Sequence, residues 1–99
     1  MTITETRNGE ALVIEVGGRL DATTAPELEK TIDGIPADVK ELVIDMEKLE
    51  YISSAGLRVL LAAHKKMSKV GAMRVRNICD EIMEILDMTG FTDILSIEE

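Results

Sequence analysis

Read from its first residues, the chain changes its rhythm of apolar and polar positions several times, and each change marks an element. Ile3 and Glu5 hint at a first edge strand. Asn8-Gly9 is a dipeptide that favours a tight hairpin turn, and Ala11 to Val16 returns as a second strand, antiparallel to the first. Gly17-Gly18 loosens the strand end. Thr24 followed by Glu27 then matches a capping box, and Pro26 is tolerated only in a first helical turn, so a helix starts there with Ala25, Leu28 and Ile32 on its inner face. Gly34 and Pro36 end it. Glu41 to Met46 is almost continuously apolar, the pattern of a central strand covered by helices on both faces. Past Leu49 to Gly56, which reads as a loop, Leu57, Leu60, Ala63, Met67 and Val70 recur at helical spacing, with Arg58, Lys65 and Lys69 on the opposite side. Ser54 falls where this helix needs an N-cap.

Gly71 closes the second helix, and Ala72 to Arg76 alternates like a strand with one wet face. Asn77 is predicted to cap a last helix with Ile78, Ile82, Ile85 and Leu86 inward, stopped by Gly90, with Phe91 folding back on it. Asp93 to Ile97 fits a short final strand or a docking turn. This order of elements predicts a single α/β domain over residues 1–99. Its mixed sheet has four to five strands and is packed with about three to four helices. Crossovers of this kind gather strand-to-helix loops at one sheet edge, where binding sites form, and Leu20 to Thr24 and Leu49 to Gly56 are two loops able to face each other.

Composition narrows the function. At 99 residues one core must serve everything, and the 45% apolar content is aliphatic and methionine-rich, with Tyr51 and Phe91 as its two aromatics. Base stacking and cation cages are therefore disfavoured. A net charge of -8 argues against direct binding to nucleic acid or to anionic membranes and suits a basic protein partner. Neither a signal-peptide pattern nor an apolar run of roughly 20 residues is present, which points to a cytoplasmic protein. The single cysteine, Cys79, followed by Asp80 and Glu81, has the surroundings of a structural thiol.

Candidate chemistry is sparse. A serine hydrolase would need Ser54 as nucleophile and His64 as base, yet ten helical residues set them about 15 Å apart, and Ile52 stands where G-x-S-x-G has its first glycine. No catalytic residue is assigned. One histidine, one cysteine and scattered carboxylates form no metal-ligand spacing, and no phosphate-binding or dinucleotide fingerprint is present, so neither metal nor cofactor is expected. Met67, Met73, Met83 and Met88 read as core filling. Asp21 and Asp45 stand at loop or strand-end positions, where a carboxylate bonds to nearby amides or orients a neighbouring hydroxyl.

Gly18-Arg19-Leu20-Asp21, Leu42 to Met46, Leu49 to Leu57 and Leu86 to Phe91 together resemble the STAS domain family, specifically its bacterial anti-sigma factor antagonists, over essentially the whole chain. The resemblance implies a non-enzymatic partner switch. The unmodified protein would bind an anti-sigma factor that is also an ATP-dependent serine kinase, freeing the sigma factor. Phosphorylation would release it, and a PP2C-type phosphatase would restore it. The family's modified serine corresponds to Ser54, and its acidic residue before the first helix to Asp21. The partner surface would comprise Asp21, Thr23, Thr24, Ser53, Ser54, Ala55, Gly56, Leu57 and Arg58. The chain departs from the family pattern in having Ser53 where Asp often precedes the target serine, and Ala55 where Ser or Thr often follows. Ser53 is thus a second candidate acceptor, and a non-phosphorylated STAS scaffold in a larger signalling or transport assembly is the alternative reading.

Overall fold

The computed structural model describes residues 1–98. Strands β1 (Thr2–Asn8) and β2 (Ala11–Leu20) are followed by α1 (Ala25–Asp33), β3 (Glu41–Asp45), β4 (Leu49–Ile52) and α2 (Ser54–Ser68). Then come β5 (Ala72–Arg76), α3 (Asp80–Met88), a 3-10 turn at Phe91–Asp93 and β6 (Ser96–Glu98). The strands form one mixed sheet in the order β1-β2-β3-β5-β6, antiparallel in its first pair and parallel elsewhere, with β4 paired to β2 off this path. The α/β architecture is the one the pattern predicts. The sheet has six strands rather than four to five, the addition being β4, and the undecided tail ends in strand β6.

Register explains where the core sits. Leu12, Leu42 and Met73 lie in one row and Ile14, Ile44 and Val75 in the next, and all belong to the hydrophobic core. The inner residues of all three helices, among them Leu28, Leu60 and Leu86, join that same cluster. Since successive side chains alternate faces, Val43, Asp45, Arg74 and Arg76 point to the other side of the sheet. The expectation of helices on both faces of β3 is therefore corrected. Val43 and Asp45 are nonetheless buried, on a strand flanked by β2 and β5, and at Asp45 the neighbouring strand supplies Arg76, whose Nε donates to Oδ2 at 3.1 Å.

Smaller departures have local causes. The hairpin register pairs Asn8 with Ala11, so the two turn residues are Gly9-Glu10, with Gly9 at φ 62; glycine supplies the positive φ at the first turn position. Val70 lies beyond the end of α2 and is exposed, and Met88, on the last turn of α3, is 81% exposed rather than core filling. Cys79, not Asn77, holds the N-cap position of α3. Asn77 instead adopts φ 57 and donates from Nδ2 to Asp45 Oδ2 at 3.1 Å.

Candidate functional site

The site is built by β2, which serves two partners in succession. Its Ala11 to Glu15 half pairs with β3, and Gly18 to Leu20 pairs with β4. Between β3 and β4 the chain turns tightly: the Glu47 amide donates to Asp45 Oδ1 at 3.0 Å and the Leu49 amide to the Met46 carbonyl at 3.0 Å. The Ser53 amide then donates to the Leu20 carbonyl at 2.9 Å, carrying the pairing to the threshold of α2. The two loops singled out in the sequence thus lie side by side.

Gly56 allows this approach, because a Cβ there would stand 2.7 Å from Leu20 Cγ and 2.8 Å from Ile52 Cγ1. The first turn of α2 can settle onto β2 and β4 only with hydrogen in that place.

At the seam the two serines differ. Ser53 has the extended backbone of an N-cap, φ -101 and ψ 177, and Ser54 is the first helical residue, so the cap position falls one residue earlier than expected. Ser53 Oγ makes no cap bond; it is buried, with no hydrogen-bond partner among the described residues. Ser54 is exposed. It sits where first-turn amides lack intrahelical acceptors and the helix dipole presents its positive end.

The loop before α1 is fastened by Asp21. Its Oδ1 accepts the Thr23 hydroxyl at 2.7 Å, the Thr23 amide at 3.0 Å and the Thr24 amide at 3.3 Å. These bonds, the Thr23 hydroxyl first among them, hold the carboxyl below the usual Asp range. Thr24 is the N-cap, but the predicted capping box does not form: its hydroxyl donates to the Arg19 carbonyl at 2.7 Å and accepts the Asp21 amide at 2.9 Å. Asp45 is likewise engaged away from Ser54. Burial raises its pKa, but the Glu47 amide, Arg76 and Asn77 outweigh that and hold it below the usual range. Both carboxylates therefore act as structural acceptors, and neither bonds the Ser54 hydroxyl.

Two neighbours escaped the sequence reading. Arg19 lies over the Tyr51 ring at 4.3 Å from its centroid, and its Nε is 3.8 Å from Asp21 Oδ2. Arg19 and Tyr51 are opposite each other in the β2–β4 register, a pairing invisible until β4 is recognised. Beside the seam, a groove of about 470 Å³ runs between α1 and α2, with Ala25, Ala55 and Val59 in its lining, Glu29 and Asp33 on the α1 side and Arg58 on the α2 side. Thus Ala55 and Arg58 share a surface with α1, whereas Gly56 and Leu57 are buried beneath it. His64 belongs elsewhere, lining a separate depression with Ser68, Met73 and Ser96. Among the described residues, no group of three or more His, Cys, Asp or Glu side chains could hold a metal ion, and no helix is long and apolar enough to cross a membrane.

The STAS domain family model matches residues 2–99. The chain belongs to the STAS domain family. The anti-sigma-B factor antagonist of Staphylococcus aureus is 25% identical to this STAS domain over 101 residues, covering 100% of this chain and 94% of that protein. An anti-sigma factor antagonist from Mycobacterium paratuberculosis has a crystal structure that superposes with a TM-score of 0.87 at 29% identity, covering 97% of this chain and 83% of that one. The Bacillus cell fate determinant SpoIIAA, in its phosphorylated form, shares the fold with a TM-score of 0.77 at 17% identity, covering 99% of this chain and 92% of that one.

Proposed function

We propose that this STAS domain is an anti-sigma factor antagonist controlled by phosphorylation of Ser54. The observation that carries the reading is the contrast at the seam: the Ser54 residue is exposed on the first turn of α2, while the neighbouring Ser53 hydroxyl is shut in. A kinase must reach the oxygen it modifies, so Ser54 is the acceptor and Ser53 is not. The names of the relatives point to the anti-sigma factor as partner, and a partner that is itself the serine kinase would contact the loop Leu20 to Thr24, the seam and Arg58 together.

The switch is electrostatic. A phosphate adds roughly -1.5 to -2 charges. The first turn of α2 accommodates it within the domain, but against a docked partner its bulk and the cost of stripping its water drive release. A PP2C-type phosphatase returns the domain to its binding form. Incubation with the cognate anti-sigma kinase and ATP, followed by peptide mass spectrometry, should find a single phosphate on Ser54. In binding assays Ser54→Ala should retain the partner and Ser54→Asp should lose at least tenfold in affinity; equal binding by the two variants would sink the mechanism. Serine at 53, in place of the acidic residue common in the family, favours a second reading, a scaffold that is never phosphorylated. Stable assembly partners recovered from cells without any kinase activity toward Ser54 would support it.

A further inference from the structure

The chain carries five arginines among 11 basic and 19 acidic residues. Four are matched with carboxylates: Arg7 with Asp38, Arg19 with Asp21, Arg74 with Glu41 and Glu98, and Arg76 with Asp45. Arg58 has no such partner among the described residues, although it shares its groove with Glu29 and Asp33 of α1. It is exposed and stands four residues after Ser54 on α2. On a helix, positions i and i+4 are neighbours with Cβ atoms about 5–6 Å apart, and an anion preceding a cation is the favourable order.

We propose that Arg58 is the built-in counter-charge for a phosphate on Ser54. In the unmodified domain its guanidinium is free, at the mouth of the α1–α2 groove, to take a carboxylate of the docked partner. Once the phosphate is present, the guanidinium forms charge-assisted hydrogen bonds with it, for which its forked donor geometry is well matched. Modification then does two things at once: it places a dianion on the contact surface and withdraws a cation from it. The groove is left with Glu29 and Asp33 as its charged walls and becomes repulsive to an acidic anchor. Other nearby charges do not offer the same service, since Arg19 is already held between Tyr51 and Asp21.

This inference rests on Ser54 as the modified residue, so its test places the phosphate there independently of any kinase. Phosphoserine is incorporated at position 54 by genetic encoding, and the second phosphate ionisation, normally near pH 6, is followed by phosphorus NMR. Arg58→Gln should raise that pKa by about 0.3 unit or more, the scale of a helical i to i+4 charge pair, and Arg58→Lys should restore part of the shift. Lys65→Gln removes the same charge about 16 Å along the helix axis, beyond the screening length at physiological salt, and should change the pKa by less than 0.1 unit. A pKa unmoved by Arg58→Gln, or moved equally by Lys65→Gln, overturns the proposal. Failure of a kinase to modify Ser54 would instead count against the reading beneath it and leave this measurement intact.

Discussion

At the scale of single residues, the ionisable group most deeply committed to the fold is Asp45. It is 7% exposed and collects the Glu47 amide, Arg76 Nε and Asn77 Nδ2, tying the end of β3 to its turn and to the end of β5. Its folded pKa is depressed, so its contribution to stability is present above the unfolded value of about 3.9 and is lost as pH falls through the folded value. Asp45→Asn should cost roughly 1–3 kcal/mol at pH 7, the scale of a charge-assisted hydrogen bond in a partly buried site. Urea unfolding of both proteins from pH 7 downward should show the gap narrowing below about pH 4. A gap that stays constant would mean that the ionised carboxylate is not what the network needs. Asp21 and Asp38 also have lowered pKa values at more exposed positions, so some acid sensitivity should remain in the variant.

At the scale of elements, the site depends on β4 and on the first turn of α2 lying against it. Gly56→Ala tests this contact. Alanine is the better helix former by about 1 kcal/mol, yet its methyl would press on Leu20 and Ile52 at less than 3 Å. Overpacking of that kind typically costs about 1–3 kcal/mol. The variant should therefore melt below the wild type by calorimetry and bind the partner more weakly; a higher melting temperature would show that the seam yields easily.

The same region marks the limit of what could be read from the chain. The periodic stretches, such as Leu28 with Ile32 and Leu57 with Leu60, Ala63 and Met67, announce their helices because their inner faces repeat without interruption. In β4 the buried residues are Leu49 and Ile52, three apart, because the register skips Glu50 between the Gly18–Leu49 and Arg19–Tyr51 pairs. A bulge of that kind erases the period of two by which a strand is recognised. The capping expectations departed for a related reason: Thr24 holds its cap position but its hydroxyl bonds to Arg19 and Asp21, Asn77 bonds to Asp45 instead of capping α3, and Ser53 rather than Ser54 takes the α2 cap position, its Oγ buried with no partner among the described residues. Their roles follow from neighbours that only the folded sheet brings near. Ser54 and Asp21 were singled out through the family resemblance, but the burial of the Ser53 hydroxyl and the Arg19–Tyr51 pair needed the three-dimensional register.

For the whole molecule the question is whether release of a partner requires the domain to change shape. Among the described residues Ser54 makes no tertiary side-chain hydrogen bond, and it lies on the surface, while the loop beside it is held by Asp21 and Thr24 and the sheet beneath by the β2–β4 pairing. A negative charge on Ser54 therefore meets free amides and the helix dipole before it meets anything that must move. Such a charge stabilises a helix N-terminus by about 0.3–1 kcal/mol, which in a domain of this size raises the melting temperature by roughly 1–6 °C. Ser54→Asp should accordingly melt slightly above the wild type while binding the partner at least tenfold less tightly. Amide hydrogen exchange should change only in the first turn of α2. Opposite signs for stability and affinity are the signature of a switch that acts at the contact surface. A lowered melting temperature with loss of protection in β4 and α1 would point instead to release by partial unfolding, and the rigid-surface mechanism would have to be given up.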